Sequence, residues 1–114
     1  MKYLLFLVLL VVICSCLNFR ELTISDSSKE QNFNLTANSE TPGQYTLIAK
    51  GQLDGEAQLI VAWQSPDGNY SRVYQLKNKI DTIIKDEWYQ STMKLTYKPL
   101  NITNGELLIK YSID

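Results

Sequence analysis

The chain has 114 residues, 45% of them hydrophobic and 20% charged: room for one globular domain, and nothing like a collagen-like or wholly disordered composition. With 11 Lys and Arg against 12 Asp and Glu the net charge is −1, so no basic face is implied and nucleic acid is excluded as an expected partner. Histidine is absent, which removes the commonest general base, the Ser–His and Cys–His nucleophile pairs and the usual zinc ligand.

Met1 and Lys2 give a short positive start, and Tyr3 to Ile13 is an unbroken apolar run. Such a run fits the roughly 7–15 residues of a signal h-region and falls short of the ~20 that a spanning helix needs. It ends in Ile13-Cys14-Ser15-Cys16. These four residues resemble the lipobox of bacterial lipoprotein precursors: an aliphatic residue, a small residue before the cut, then the modified cysteine. Cys14 departs from the pattern, which more often has a small or hydroxyl residue there. The resemblance implies removal of residues 1–15 as a signal peptide, a diacylglycerol on the Cys16 thiol, and anchoring to the bacterial cell envelope. Leu17 in place of aspartate after the cysteine implies the outer membrane where the cell has two. Ordinary secretory cleavage after Cys16 is the competing reading.

No cysteine follows Cys16, so the exported domain is expected to hold together by its core alone. Two or three acyl chains, at about 0.8 kcal/mol per buried methylene, would make the anchor stable. Residues 16–31 read as the lipidated cysteine and a polar tether, with Ser25, Ser27, Ser28 and mixed charges in the second half. Leu22 and Ile24 alternate with Thr23 and Ser25, so an edge strand competes with the tether.

From Asn32 to the end the apolar period is two. Phe33 and Leu35 share one face, and so do Tyr45, Leu47 and Ala49. Asp54-Gly55 reads as a turn into Ala57–Gln64, which is apolar on both faces and therefore central. Ser65-Pro66-Asp67-Gly68 is a strong turn signal, followed by strands at Tyr70–Leu76 and Ile80–Lys85. Met93, Leu95 and Tyr97, then Leu107, Ile109, Tyr111 and Ile113, alternate most cleanly. Asn104-Gly105 closes the loop between them. Roughly seven or eight short strands over residues 32–114 predict an all-β domain, a single antiparallel β-sandwich of Ig-like or jelly-roll-like form. Its expected core is Leu59, Val61, Trp63, Leu95, Tyr97, Leu107, Ile109 and Tyr111.

Chemistry is sparse. The carboxylates are scattered over expected turns, so no catalytic residues and no cofactor are expected. Asp81, Asp86 and Glu87 lie near one another as oxygen ligands for calcium, but they lack an Asp-x-Asp-x-Asp run and read as solvated. Asn34, Asn69 and Asn101 each open an N-glycosylation pattern, which matters only in a eukaryotic secretory setting. Trp88 and Tyr89 are adjacent, so an extended chain sends their rings to opposite faces. One is expected on the core edge and the other in water, at a rim that would bind a ligand. The function this predicts is a membrane-anchored lipoprotein with a small non-catalytic binding domain, its partner a glycan or a protein. A structural envelope lipoprotein without a discrete ligand is the alternative.

Overall fold

A computed structural model describes residues 19–114. The expected signal peptide and Cys16 lie outside the described residues. The domain is all-β and antiparallel, with six strands: β1 (Arg20–Thr23), β2 (Gln31–Thr36), β3 (Gln44–Ser65), β4 (Gly68–Glu87), β5 (Thr92–Pro99) and β6 (Gly105–Ile113). The strand count is lower than expected because β3 has 22 residues and β4 has 20. Each merges two segments that read as separate strands in the sequence.

β3 is central. β4 follows one of its sides from Gln44 to Ser65. On the other side β6 pairs with Tyr45–Leu53 and β5 pairs with Ala57–Ala62, while β1 extends β6 and β2 extends β5. The handover falls at a register break between Gln52 and Glu56. Asp54-Gly55, which reads as a turn, is thus a bend inside a strand. Glycine is required there by close approach: a Cβ on Gly51 would collide with the Glu106 carbonyl, and one on Gly55 with the Asn101 side chain. The β5–β6 loop clamps the bend. Asp54 accepts the Thr103 and Asn104 amides, each at 3.0 Å, and the Thr103 hydroxyl, while Asn101 Oδ1 accepts the Glu56 amide at 2.6 Å. Opposite, β4 turns through Asn78 in a left-handed conformation with φ of 55°.

The bend curls the sheet over itself. A straight β3 would place Tyr45 and Leu59, the latter paired with Tyr74, roughly 46 Å apart at about 3.3 Å per residue. Yet the Tyr45 and Tyr74 hydroxyls are hydrogen-bonded at 2.5 Å. The apolar faces of the two halves therefore meet, and Leu47, Leu59, Val61, Leu95, Tyr97 and Ile109 between them are fully buried. Burying each aliphatic side chain contributes about 1.5–3 kcal/mol. Leu107 and Tyr111 are buried as expected, whereas Trp63 is half-buried and packs against the core from its edge.

The folded body starts earlier than the expected boundary at Asn32. Arg20–Thr23 pairs with β6, Ile24 is buried, and its amide bonds to the Leu107 carbonyl at 3.2 Å. The buried Tyr97 hydroxyl donates to the Ser27 carbonyl at 2.7 Å, and Ser27 Oγ donates to the Gly105 carbonyl at 3.1 Å. Those two bonds fasten the serine-containing stretch that reads as a spacer in the sequence.

Candidate functional site

The hairpin between β3 and β4 sets the site. Pro66 and Asp67 form the turn, and Gly68 has φ of +147°, closing the register at Ser65–Gly68. Counting back from that pair puts Trp63 opposite Tyr70 and Val61 opposite Arg72. The Trp63 and Tyr70 rings stack at 5.7 Å with an interplanar angle of 22°, and the Arg72 guanidinium lies 4.8 Å from the Trp63 ring centroid. Tyr70, Trp63 and Arg72 form one aromatic and cationic platform at the end of the curl.

Neighbouring groups hold the platform. Tyr70 donates its hydroxyl to Asp67 at 3.0 Å, and Ser65 donates to the same carboxylate. The Ser65 hydroxyl, first, and the Tyr70 hydroxyl keep the Asp67 carboxyl below its ordinary range. Arg72 is fixed by Asp86 at 3.3 Å and by the Glu87 carbonyl at 3.2 Å. Its charge is therefore spent within the protein. Gln90 Nε2 donates to the Gln64 carbonyl at 3.0 Å, tying the β4–β5 loop to the end of β3.

Two clefts flank Trp63. The larger, about 520 Å³, has Trp63 and Tyr70 as its aromatic wall and the amides of Asn34, Gln64, Asn69 and Gln90 around it. Lys94 is the charged residue lining it, in register with Ala62 on one side and Asn34 on the other. The smaller cleft, about 140 Å³, lies between Trp63, Arg72, Trp88 and Tyr89. An aromatic wall with convergent amides is the ordinary make-up of a small-molecule or saccharide site.

The expected rim residues sit beside this platform. Trp88 is 4% exposed and meets both Tyr45 and Trp63 edge to face, while Tyr89 is 70% exposed. Trp88 Nε1–H has no acceptor among the described residues. Asp86 points to Arg72 on the inner face, while Asp81 stands on the outer face, so Asp81, Asp86 and Glu87 do not converge. Nothing local in the sequence marks Tyr70, Gln64, Asn69 or Lys94 as lining a ligand cleft. For Tyr70 the pairing is still implicit in the sequence: a two-residue turn fixes hairpin register, and register alone brings Tyr70 to Trp63.

No family model matches this chain, and no curated protein matches it significantly. Among solved structures, one described as the crystal structure of PirA aligns over 85% of this chain and 94% of its own, with a TM-score of 0.50 at 7% identity. The Yersinia pseudotuberculosis-derived mitogen aligns over 84% of each chain, with a TM-score of 0.51 at 14% identity. A family 16 carbohydrate-binding module aligns over 82% of this chain and 72% of its own, at a TM-score of 0.44 and 10% identity. At these identities the first two likenesses concern the fold alone.

Proposed function

We propose that this chain is a small non-catalytic binding domain, delivered to the cell envelope by residues 1–15 and held at a membrane by lipid on Cys16, that takes an acidic glycan at the open end of its curled sheet. The reading rests chiefly on the Tyr70–Trp63–Arg72 stack beside an amide-lined cleft. The flat apolar face of a sugar packs on an aromatic ring, and its hydroxyls exchange hydrogen bonds with side-chain amides. Lys94 supplies the charge preference. It faces the cleft with no carboxylate among the lining residues, so a uronate-type carboxylate on the ligand would complement it.

With each half of β3 and β4 counted separately, the pairing gives β1-β6-β3-β4 on one side and β2-β5-β3-β4 on the other. Two four-stranded layers in that order make a jelly-roll sandwich, and the Tyr45–Tyr74 contact between the layers supports it. The anchor reading rests on the Ile13-Cys14-Ser15-Cys16 motif.

An array of acidic and neutral oligosaccharides probed with the purified protein tests the function. Stronger retention on uronate-containing glycans than on their neutral counterparts is expected. Absence of binding to every glycan would return the domain to a purely structural role.

A further inference from the structure

β4 is bonded on one side only: β3 runs along it, and no strand among the described residues covers its outer edge. A 20-residue open edge is a template for another strand unless its side chains prevent pairing. The direction of its backbone groups follows from the neighbouring bonds. Gln44 and Asp114 exchange hydrogen bonds at 3.0 and 2.9 Å, so Gln44 faces β6 and Tyr45 faces β4. Asp86, the partner of Tyr45, therefore aims its N–H and C=O at β3. Residues 79, 81, 83, 85 and 87 aim theirs off the free edge. The Glu87 carbonyl agrees, since it receives Arg72 rather than a β3 amide.

The side chains of those same residues stand on the outer face and read Lys79, Asp81, Ile83, Lys85, Glu87. Ile83 is 63% exposed, more than any other aliphatic side chain of the domain's exposed set. Lys79, Asp81 and Lys85 make none of the four ion pairs of the described residues, although Lys50 of β3 lies in register with Asp81. The order of charges reverses across Ile83. Laid antiparallel on a copy of itself with Ile83 opposite Ile83, the edge places each Asp81 against Lys85 and each Lys79 against Glu87. Moving the two-fold axis by one residue sets Lys79 against Lys85, or Asp81 against Glu87. Like charges directly opposed destabilise a strand pair, so the pattern admits this register and rejects its neighbours.

We propose that two copies of this chain pair edge to edge through β4, antiparallel about a two-fold axis at Ile83. The contact is isologous and closes on itself, so it yields a dimer and not a fibre. It leaves the Trp63–Tyr70 platform, at the other face and the other end of β4, open on each copy. The inference does not depend on what the platform binds.

Sedimentation velocity on the purified full chain in detergent tests it, with charge exchanges at two exposed positions. The unaltered protein should sediment as a dimer. Asp81→Lys alone and Lys85→Asp alone should each weaken the dimer by roughly tenfold or more, because each turns two attractive contacts into repulsive ones. The double exchange should restore it, as should mixing the two single variants, whose edges complement one another. Circular dichroism melting should stay within a few degrees of the wild type in all three, lowest in the two that carry Asp81→Lys, which sets a lysine opposite Lys50 of the same copy, and so separates loss of pairing from loss of fold. A monomeric wild type, a dimer indifferent to the single exchanges, or single variants that fail to combine would each overturn the proposal.

Discussion

The phenolic oxygens of Tyr45 and Tyr74 meet at 2.5 Å across the curl, although Tyr45 lies far along β3 from Leu59, the β3 residue that pairs with Tyr74. The contact is possible only because β3 and β4 bend together at Gln52–Glu56 and Asn78. It joins the two halves next to Arg72, whose guanidinium reaches Tyr45 at 3.5 Å.

Tyr74→Phe should therefore lower stability by about 1 kcal/mol, the worth of one hydrogen bond, or a Tm drop of roughly 4–8 °C. Burial, first, and the Tyr45 hydroxyl raise the Tyr74 pKa above its ordinary value of 10.0. The folded state thus holds this proton more tightly than the unfolded chain. Its contribution is complete below pH 10 and is lost as pH climbs beyond it. Alkaline melting should consequently be shallower in Tyr74→Phe than in the wild type, which thermal scans between pH 8 and 11 would measure.

The bend makes a second prediction. Gly51→Ala should unfold or severely destabilise the domain, because the new methyl meets main chain that cannot step aside. Asp54→Asn should lower Tm at neutral pH by weakening the clamp on the β5–β6 loop. The Thr103 hydroxyl, then the Asn104 and Thr103 amides, hold the Asp54 carboxyl below its ordinary value of 3.8. Its contribution is present above that pH and lost as pH falls below it. The gap in Tm between wild type and Asp54→Asn should accordingly narrow in acid.

The faces of the sheet give a third. Ile109→Ala, at a fully buried position, should cost about 2–5 kcal/mol, and Trp88→Ala about 3–5 kcal/mol. Lys110→Ala and Tyr89→Ala, both at exposed positions, should change stability by about 0.5 kcal/mol or less. The Lys110–Glu21 pair at 3.9 Å does not alter that expectation, since exposed ion pairs contribute little. Denaturant titration of the four variants would check the assignment.

These faces were legible in the sequence because a period of two survives wherever one side of a strand is buried. Leu107, Ile109 and Tyr111 announce their burial by alternating with Lys110 and Ser112, and adjacent Trp88 and Tyr89 had to part. The bend was not legible. Asp54-Gly55 is a turn signal in any local reading, and whether it ends β3 or bends it depends on Thr103 and Asn104, far along the chain. Trp63 reads as core because it continues the Leu59–Val61 face, but the buried core of β3 ends at Val61 and the Trp63 ring stacks on Tyr70. Lys94 and Gln64 carry no local mark of a site at all; only the strand pairing brings them to one cleft.

Anchoring gives a fourth prediction. Intact-mass analysis of the protein from membranes should show residues 1–15 removed and acyl mass on Cys16. Unmodified protein beginning after Cys16 would replace the lipid anchor with ordinary secretion.

The most direct test of the central claim is calorimetric titration of a uronate-containing oligosaccharide into wild-type protein, Tyr70→Ala and Lys94→Gln. The platform account predicts saturable binding to the wild type. Tyr70→Ala should reduce it at least about tenfold, from the loss of roughly 1.4 kcal/mol or more of stacking and contact area. Lys94→Gln should weaken the acidic ligand while leaving a neutral analogue unchanged, with all three proteins melting within a few degrees of one another. Equal affinity in wild type and Tyr70→Ala would contradict the account.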